Sequence, residues 1–145
     1  MRLLIASDHG GLRLKNELVE QLKKAGHEVE DLGTKTDARC DYPDFAHAVA
    51  KGILAAGNGA ARGILVCGTG VGMSIAANRH AGIRAVVCSD TYTAKLSRDH
   101  NDANILCIGE RVVGSGLAWE IVSAWVAEPA STDERHVNRR AKIEL

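Results

Sequence analysis

The feature that constrains this chain most is an alternation repeated along its length. Short apolar, β-branched runs give way to longer amphipathic stretches, with glycine or aspartate at nearly every junction. Leu3-Leu4-Ile5-Ala6 reads as a strand ending at Ser7-Asp8-His9-Gly10-Gly11. Leu12, Leu14, Leu18, Val19 and Leu22 then recur at near-helical spacing until Gly26 stops the helix. A weaker strand over Glu28–Leu32 runs into a loop from Gly33 to Pro43, and a helix over Asp44–Ala56 is closed by Gly57-Asn58-Gly59. The third strand, Gly63-Ile64-Leu65-Val66-Cys67, breaks into Gly68-Thr69-Gly70-Val71-Gly72 and a helix. Strands over Arg84–Cys88 and Asn104–Ile108 flank a helix over Thr91–Arg98, and a last long helix spans Gly116–Ala127. Five strands separated by helices predict a parallel sheet in a three-layer, Rossmann-like α/β/α sandwich, one domain over residues 1–145. Beyond Pro129, Ser131-Thr132-Asp133-Glu134 offers a capping box for a helical tail over 130–145. So isolated an arm is expected to pack on a second subunit.

Composition removes several functions. With 18 basic and 18 acidic side chains the formal net charge is zero, which takes away the general driving force for binding nucleic acid or a membrane surface. Aromatics at 3% leave few platforms on which bases would stack. The apolar run after Arg2 breaks before Asp8, too short for a signal-peptide core, and the charge-free stretch Gly63–Asn78 is shorter than a membrane span. Cysteines at 40, 67, 88 and 107 form no CxxC pair, so neither a disulfide framework nor a metal site is expected and a cytoplasmic location is.

In a sheet of this kind ligands collect beyond the carboxyl ends of the strands. Those ends carry Asp8-His9, Asp41-Tyr42, Cys67 with its glycines, Ser89-Asp90 and Glu110-Arg111. The Cys67–Ser74 loop opens a helix and turns successive backbone N–H groups inward, which suits an anion. It is not a Walker A loop, since no Gly-Lys-Ser/Thr follows, and Met73 stands where a dinucleotide fingerprint needs its last glycine and where a C-x5-R loop needs arginine. Cys67 borders that positive potential, which favours a thiolate nucleophile or base. The same position equally suits a small buried hydrophobe, and the residues alone leave both open. Cys88 and Cys107 lie among apolar strand residues, and nothing gives Cys40 a role.

Seven blocks together resemble the type B ribose-5-phosphate isomerase family. They are Ser7-Asp8-His9-Gly10-Gly11, Asp41-Tyr42-Pro43, Cys67-Gly68-Thr69-Gly70-Val71-Gly72, Ile75-Ala76-Ala77-Asn78, Gly82-Ile83-Arg84-Ala85, Ser97-Arg98-Asp99-His100-Asn101 and Arg111-Val112-Val113-Gly114. They run in order through nearly the whole chain. The resemblance implies an enzyme that interconverts ribose 5-phosphate and ribulose 5-phosphate through a cis-enediol, with no cofactor or metal. It places Cys67 as the base that moves a proton between C2 and C1, because Met73 stands where some relatives carry a glutamate. The N–H groups of Gly68, Thr69, Gly70, Val71 and Gly72 would stabilise the enediolate, with the Thr69 hydroxyl on the sugar oxygens.

The resemblance also implies that His100 opens the furanose by protonating the ring oxygen, with Asp8 on the anomeric hydroxyl. His9, Arg111, Arg135 and Arg139 match phosphate or sugar contacts, and Asn101 and Tyr42 match substrate-contacting positions. Without it, Arg135 and Arg139 would read as a basic last turn, the reading kept for Arg140 and Lys142. Arg84 reads as structural, and His27, His47, His80 and His136 as mostly surface. His100 precedes the fifth strand and lies toward the opposite sheet edge from Cys67. It could reach the site from a second subunit, and the resemblance implies a site at the interface of a homodimer or dimer of dimers. The other readings are a hexose-6-phosphate isomerase acting on allose or galactose 6-phosphate, and a non-catalytic sugar-phosphate-binding protein. Retention of both Cys67 and His100 argues against the latter.

Overall fold

The computed structural model describes residues 1–57 and 59–144, so Asn58 of the expected Gly57-Asn58-Gly59 stop lies outside the described residues. Five strands form one parallel sheet: β1 (Arg2–Ser7), β2 (Glu28–Asp31), β3 (Ala61–Cys67), β4 (Ala85–Val87) and β5 (Ile105–Gly109), in the order β2-β1-β3-β5-β4. Among the described residues six α-helices connect and follow the strands: α1 (Leu12–Lys24), α2 (Tyr42–Ala56), α3 (Val71–Ala77), α4 (Thr91–Asp99), α5 (Ser115–Ala127) and α6 (Glu134–Ala141). No helix among the described residues is long and apolar enough to cross a membrane.

The pleat sorts the core into two layers. Leu3, Ile5, Ile64, Val66, Leu106 and Ile108 point to one face, where Leu14, Leu18 and Leu22 of α1, Ala94 of α4 and Ile121, Val122 and Trp125 of α5 cover them. Leu4, Ala6, Leu65, Ile105 and Cys107 point to the other, under Ala46, Val49 and Ile53 of α2 and Met73, Ala76 and Ala77 of α3. Alternation within continuous apolar strands is what a doubly covered sheet demands.

Boundaries shift by one or two residues. α2 begins at Tyr42 rather than Asp44, because Pro43 has the fixed φ and missing N–H that suit a first helical turn. The tail helix is capped by Asp133, whose Oδ1 accepts the Arg135 N–H at 2.9 Å, and not by Ser131. Asp133 adjoins the helix directly, and the Ser131 hydroxyl instead accepts from the Asp133 N–H at 3.1 Å. α6 also meets its own chain at the end of α4, where the Ser131 N–H just ahead of the helix donates to the Asp99 carbonyl at 2.8 Å.

Candidate active site

Strand order brings β1 and β3 side by side, while their crossovers leave in opposite directions, one to β2 and the other past β5 to β4. The chain therefore parts above the carboxyl ends of β1 and β3, the place where open α/β sheets form a crevice. Ser7 is in register with Val66, and Cys67 with Gly109, so Asp8, Cys67 and Glu110-Arg111 emerge at one level.

Backbone geometry builds this crevice. Asp8 is 8% exposed and caps a single 3-10 turn, its Oδ1 accepting the Gly10 N–H at 2.9 Å. After β3 the chain turns at Gly70, whose φ of 80° is a left-handed conformation that side chains other than glycine resist. That turn aims the Gly70 N–H at Cys67 Sγ, 3.1 Å away, holding the buried sulfur as an acceptor. The loop then lies flat on β5, where a Cβ on Gly109 would stand 2.6 Å from Thr69 Cα. The Arg111 guanidinium closes over the loop, with Nη1 3.5 Å from where a Gly68 Cβ would be. Tyr42, at the head of α2, covers Gly72 from the other side, its ring 2.7 Å from where a Cβ would be.

Neighbouring groups set the chemistry available. His9 Nδ1 accepts the Cys40 N–H at 3.3 Å, so a neutral ring carries its proton on Nε2. Burial pushes the Cys88 thiol up to about 11, with Asp90 adding to it, and burial raises Cys107 well above the ordinary thiol range. Neither reaches the crevice as a thiolate. Where α1 meets the end of β2, the fully buried Lys15 Nζ meets Asp31 Oδ2 at 2.6 Å. Burial pushes the Asp31 carboxyl up, but the bonds from Lys15, Lys35 and the Gly33 N–H outweigh it and hold it below the usual range. The Gly33 carbonyl in turn accepts the Ser7 N–H at 2.7 Å, so this ion pair fixes the residue before Asp8.

The remaining candidates lie at the opposite end of the sheet. β5 begins at Ile105, four strand positions or about 13 Å below the level of Cys67, and His100 and Asn101 come earlier still. Within one subunit Cys67 and His100 are not brought together. Arg135 and Arg139 are exposed on α6, beside them, with Arg135 Nη2 3.3 Å from Asp133. Arg84 organises this end, donating to the carbonyls of Asn101 and Asp102 at 3.0 and 3.1 Å and pairing with Asp102 and Glu144 at 3.1 and 2.7 Å. Buried Arg98 holds the other Asp102 oxygen at 2.6 Å. A cavity of about 450 Å³ opens here between Arg62, Arg84, Arg98, Asp102 and Glu144. Its three arginines all donate to carboxylates or carbonyls of their own chain, so the cavity reads as scaffold.

Comparison with known proteins decides the family. The model of the family described as Ribose/Galactose Isomerase matches residues 3–143. The chain belongs to that family. It is 54% identical over 125 residues to ribose-5-phosphate isomerase B of Escherichia coli, covering 86% of this chain and 83% of that one. It is 39% identical over 140 residues to ribose-5-phosphate isomerase B of Mycobacterium tuberculosis, covering 96% and 85%. Its fold superposes on ribose-5-phosphate isomerase B of Clostridium thermocellum with a TM-score of 0.93 at 50% identity, over 99% and 95% of the two chains. The type B enzyme of Trypanosoma brucei gives 0.92 at 42% identity, over 98% and 93%.

Several residues of consequence are not apparent from the sequence. His136, expected at the surface, is 6% exposed. Its ring stacks on His100 with centroids 4.1 Å apart. Arg140, expected to be a plain basic last turn, donates to the His100 and Ser131 carbonyls at 3.3 and 2.9 Å. Glu110 caps α1, accepting the Leu14 N–H at 2.9 Å. Cys40, given no role, positions His9 through its N–H. The only signal for these contacts is proximity to motif residues, because each pairing spans distant parts of the chain.

Proposed function

We propose that this protein interconverts ribose 5-phosphate and ribulose 5-phosphate, with Cys67 as the proton-transfer base. The observation that carries the reading is the Cys67 sulfur held at 3.1 Å by the Gly70 N–H within the glycine loop, at the fold's topological switch point. Identity of 54% to the E. coli ribose enzyme supports a pentose phosphate over the hexose alternatives.

The chemistry follows in two stages. Asp8 takes the proton from the anomeric hydroxyl while His100 protonates the ring oxygen, and the C1–O4 bond breaks to leave the open aldehyde. The Cys67 thiolate then removes the C2 proton. Negative charge moves onto O1, where the amides from Gly68 to Gly72 and the Thr69 hydroxyl stabilise it. Cys67 returns its proton to C1 as the O2 proton passes to O1, and the ketose forms. His9 and Arg111 beside the loop, with Arg135 and Arg139 on α6, supply donors for the phosphate. Tyr42 and Asn101 line the sugar.

Because His100, Asn101, Arg135 and Arg139 stand at the far end of their own sheet, a second copy supplies them, and the working unit is a cytoplasmic homodimer. Mixing tests this directly. Cys67→Ala and His100→Ala proteins, each inactive on ribose 5-phosphate alone, should recover about a quarter of wild-type activity when their subunits are exchanged. Half the dimers are then mixed, and each mixed dimer has one intact site. No recovery in dimers shown to have exchanged would place both groups in one subunit's site. A second measurement isolates the base. Ribulose 5-phosphate stays open-chain because phosphate blocks its ring-forming hydroxyl, so deuterium wash-in at its C1 needs Cys67 and not ring opening. His100→Ala should keep this exchange and Cys67→Ala should lose it.

A further inference from the structure

We infer that His136 is a positioning residue for His100, holding its imidazole in the orientation that delivers a proton to the sugar ring oxygen. The inference rests on the reading of His100 as the ring-opening acid.

α6 grips the end of α4 at three points. The Ser131 N–H, just ahead of the helix, donates to the Asp99 carbonyl at 2.8 Å. Arg140 Nη1 donates to the His100 carbonyl at 3.3 Å, and the His136 ring lies on the His100 ring with an interplanar angle of 11°. The first two contacts fix the backbone of residues 99 and 100. Only the third touches the imidazole. His100 is 41% exposed at its side chain, and an imidazole on that much open surface samples several rotamers unless a flat partner selects one. His136 supplies that partner from a buried position, while Asp99 Oδ2 stands 3.4 Å from His100 Nε2 at the ring edge.

The charges around the stack suit this division of labour. His136 faces His100, Arg135, Asp133 and Asp99. Burial, then the nearness of His100 and Arg135, hold its pKa below the ordinary histidine range, and the two aspartates only partly oppose this. These surroundings favour the neutral ring of His136 over the charged one. A neutral ring stacks on imidazole and imidazolium alike, where a charged one would repel the latter. The same helix exposes Arg135 and Arg139, so one rigid element sets the acid and the proposed phosphate donors at a fixed spacing.

Two variants and two readouts test the role. His136→Ala removes the ring, and His136→Phe keeps a flat ring that cannot titrate. His136→Ala should lower kcat on ribose 5-phosphate about tenfold, with KM changing less than about twofold, as misplacement of a reacting group does. Deuterium wash-in at C1 of ribulose 5-phosphate should stay at the wild-type rate, which also verifies that the protein is folded. His136→Phe should recover most of the loss. In proton NMR the His100 ring signals should move downfield in His136→Ala, where the ring current of the stack is gone, and stay near their wild-type positions in His136→Phe. Wild-type turnover by His136→Ala, or an equal loss of turnover and wash-in, would overturn the inference. If His100→Ala keeps ribose 5-phosphate turnover, the reading of His100 fails and this inference with it. If His100→Ala loses turnover and His136→Ala does not, only this inference fails.

Discussion

The two ends of the sheet hold their functional side chains by different means. At the carboxyl end the backbone does most of the work: Gly70 in a left-handed turn, the Asp8 cap, and a loop pressed onto Gly109. Most of these contacts join residues within three or four positions of each other. At the amino end His100 and Asn101 are held by side chains converging from across the chain, with Arg84, Arg98, Asp102 and Glu144 in one network. Beside the left-handed Gly82, at φ 84°, it also holds a left-handed residue that is not glycine, Asp102 at φ 49°. Aspartate tolerates that conformation better than most side chains, and here its carboxylate also bridges two arginines. An amide cradle for a charged oxygen calls for stiff local backbone. A surface that presents an acid and phosphate donors to another copy can be assembled from longer reach.

Substitutions at each end sharpen this contrast. The largest effect should come from Cys67→Ala, which removes the base while leaving the cradle. We expect kcat to fall about 10³-fold, with wash-in at C1 of ribulose 5-phosphate lost in proportion and substrate still bound by calorimetry. Next come the two buried cations. Arg98→Met strips Asp102 Oδ1, the Ala103 carbonyl and the Glu128 carbonyl of their donor, leaving Asp102 only Arg84, and should cost about 3 kcal/mol in urea unfolding. Lys15→Met should cost less, about 1–2 kcal/mol, because Asp31 keeps Lys35 at 2.8 Å and the Gly33 N–H. An equal cost for the two would contradict the view that the amino end depends more on its ion network. Gly70→Ala should lose about 1 kcal/mol to backbone strain alone and slow wash-in more than it destabilises the fold, since it tilts the N–H aimed at Cys67.

The smallest effect is the order in which the ends loosen with acid. An unfolded histidine takes up its proton near pH 6.5, whereas folded His136 resists it. Stability from His136 is therefore present above that value and begins to fall below it. Folded Asp31 has its pKa lowered, so its contribution persists until the pH drops below about 4, where the unfolded carboxylate protonates first. Hydrogen exchange corrected for intrinsic rates should show α6 opening below about pH 6.5 and the end of β1 only below about 4. The reverse order would break the comparison.

The sheet, its helices and the crevice at its carboxyl end were legible in the residues themselves. Apolar alternation determines strands and helices, and a glycine run after a buried strand determines an amide-lined turn, because both depend on φ and ψ preferences of near neighbours. What Cys67 does was left open by those residues, since a sulfur at a strand end serves a core as well as a site. The place of His100 before the fifth strand also follows from the strand boundaries, but only the tertiary structure decided that β1 and β3 adjoin. It alone placed His136 on the His100 ring and folded α6 back on its own chain. Those facts depend on the order of strands and on contacts between residues dozens of positions apart, where burial and charge pairing set the outcome and no local preference does.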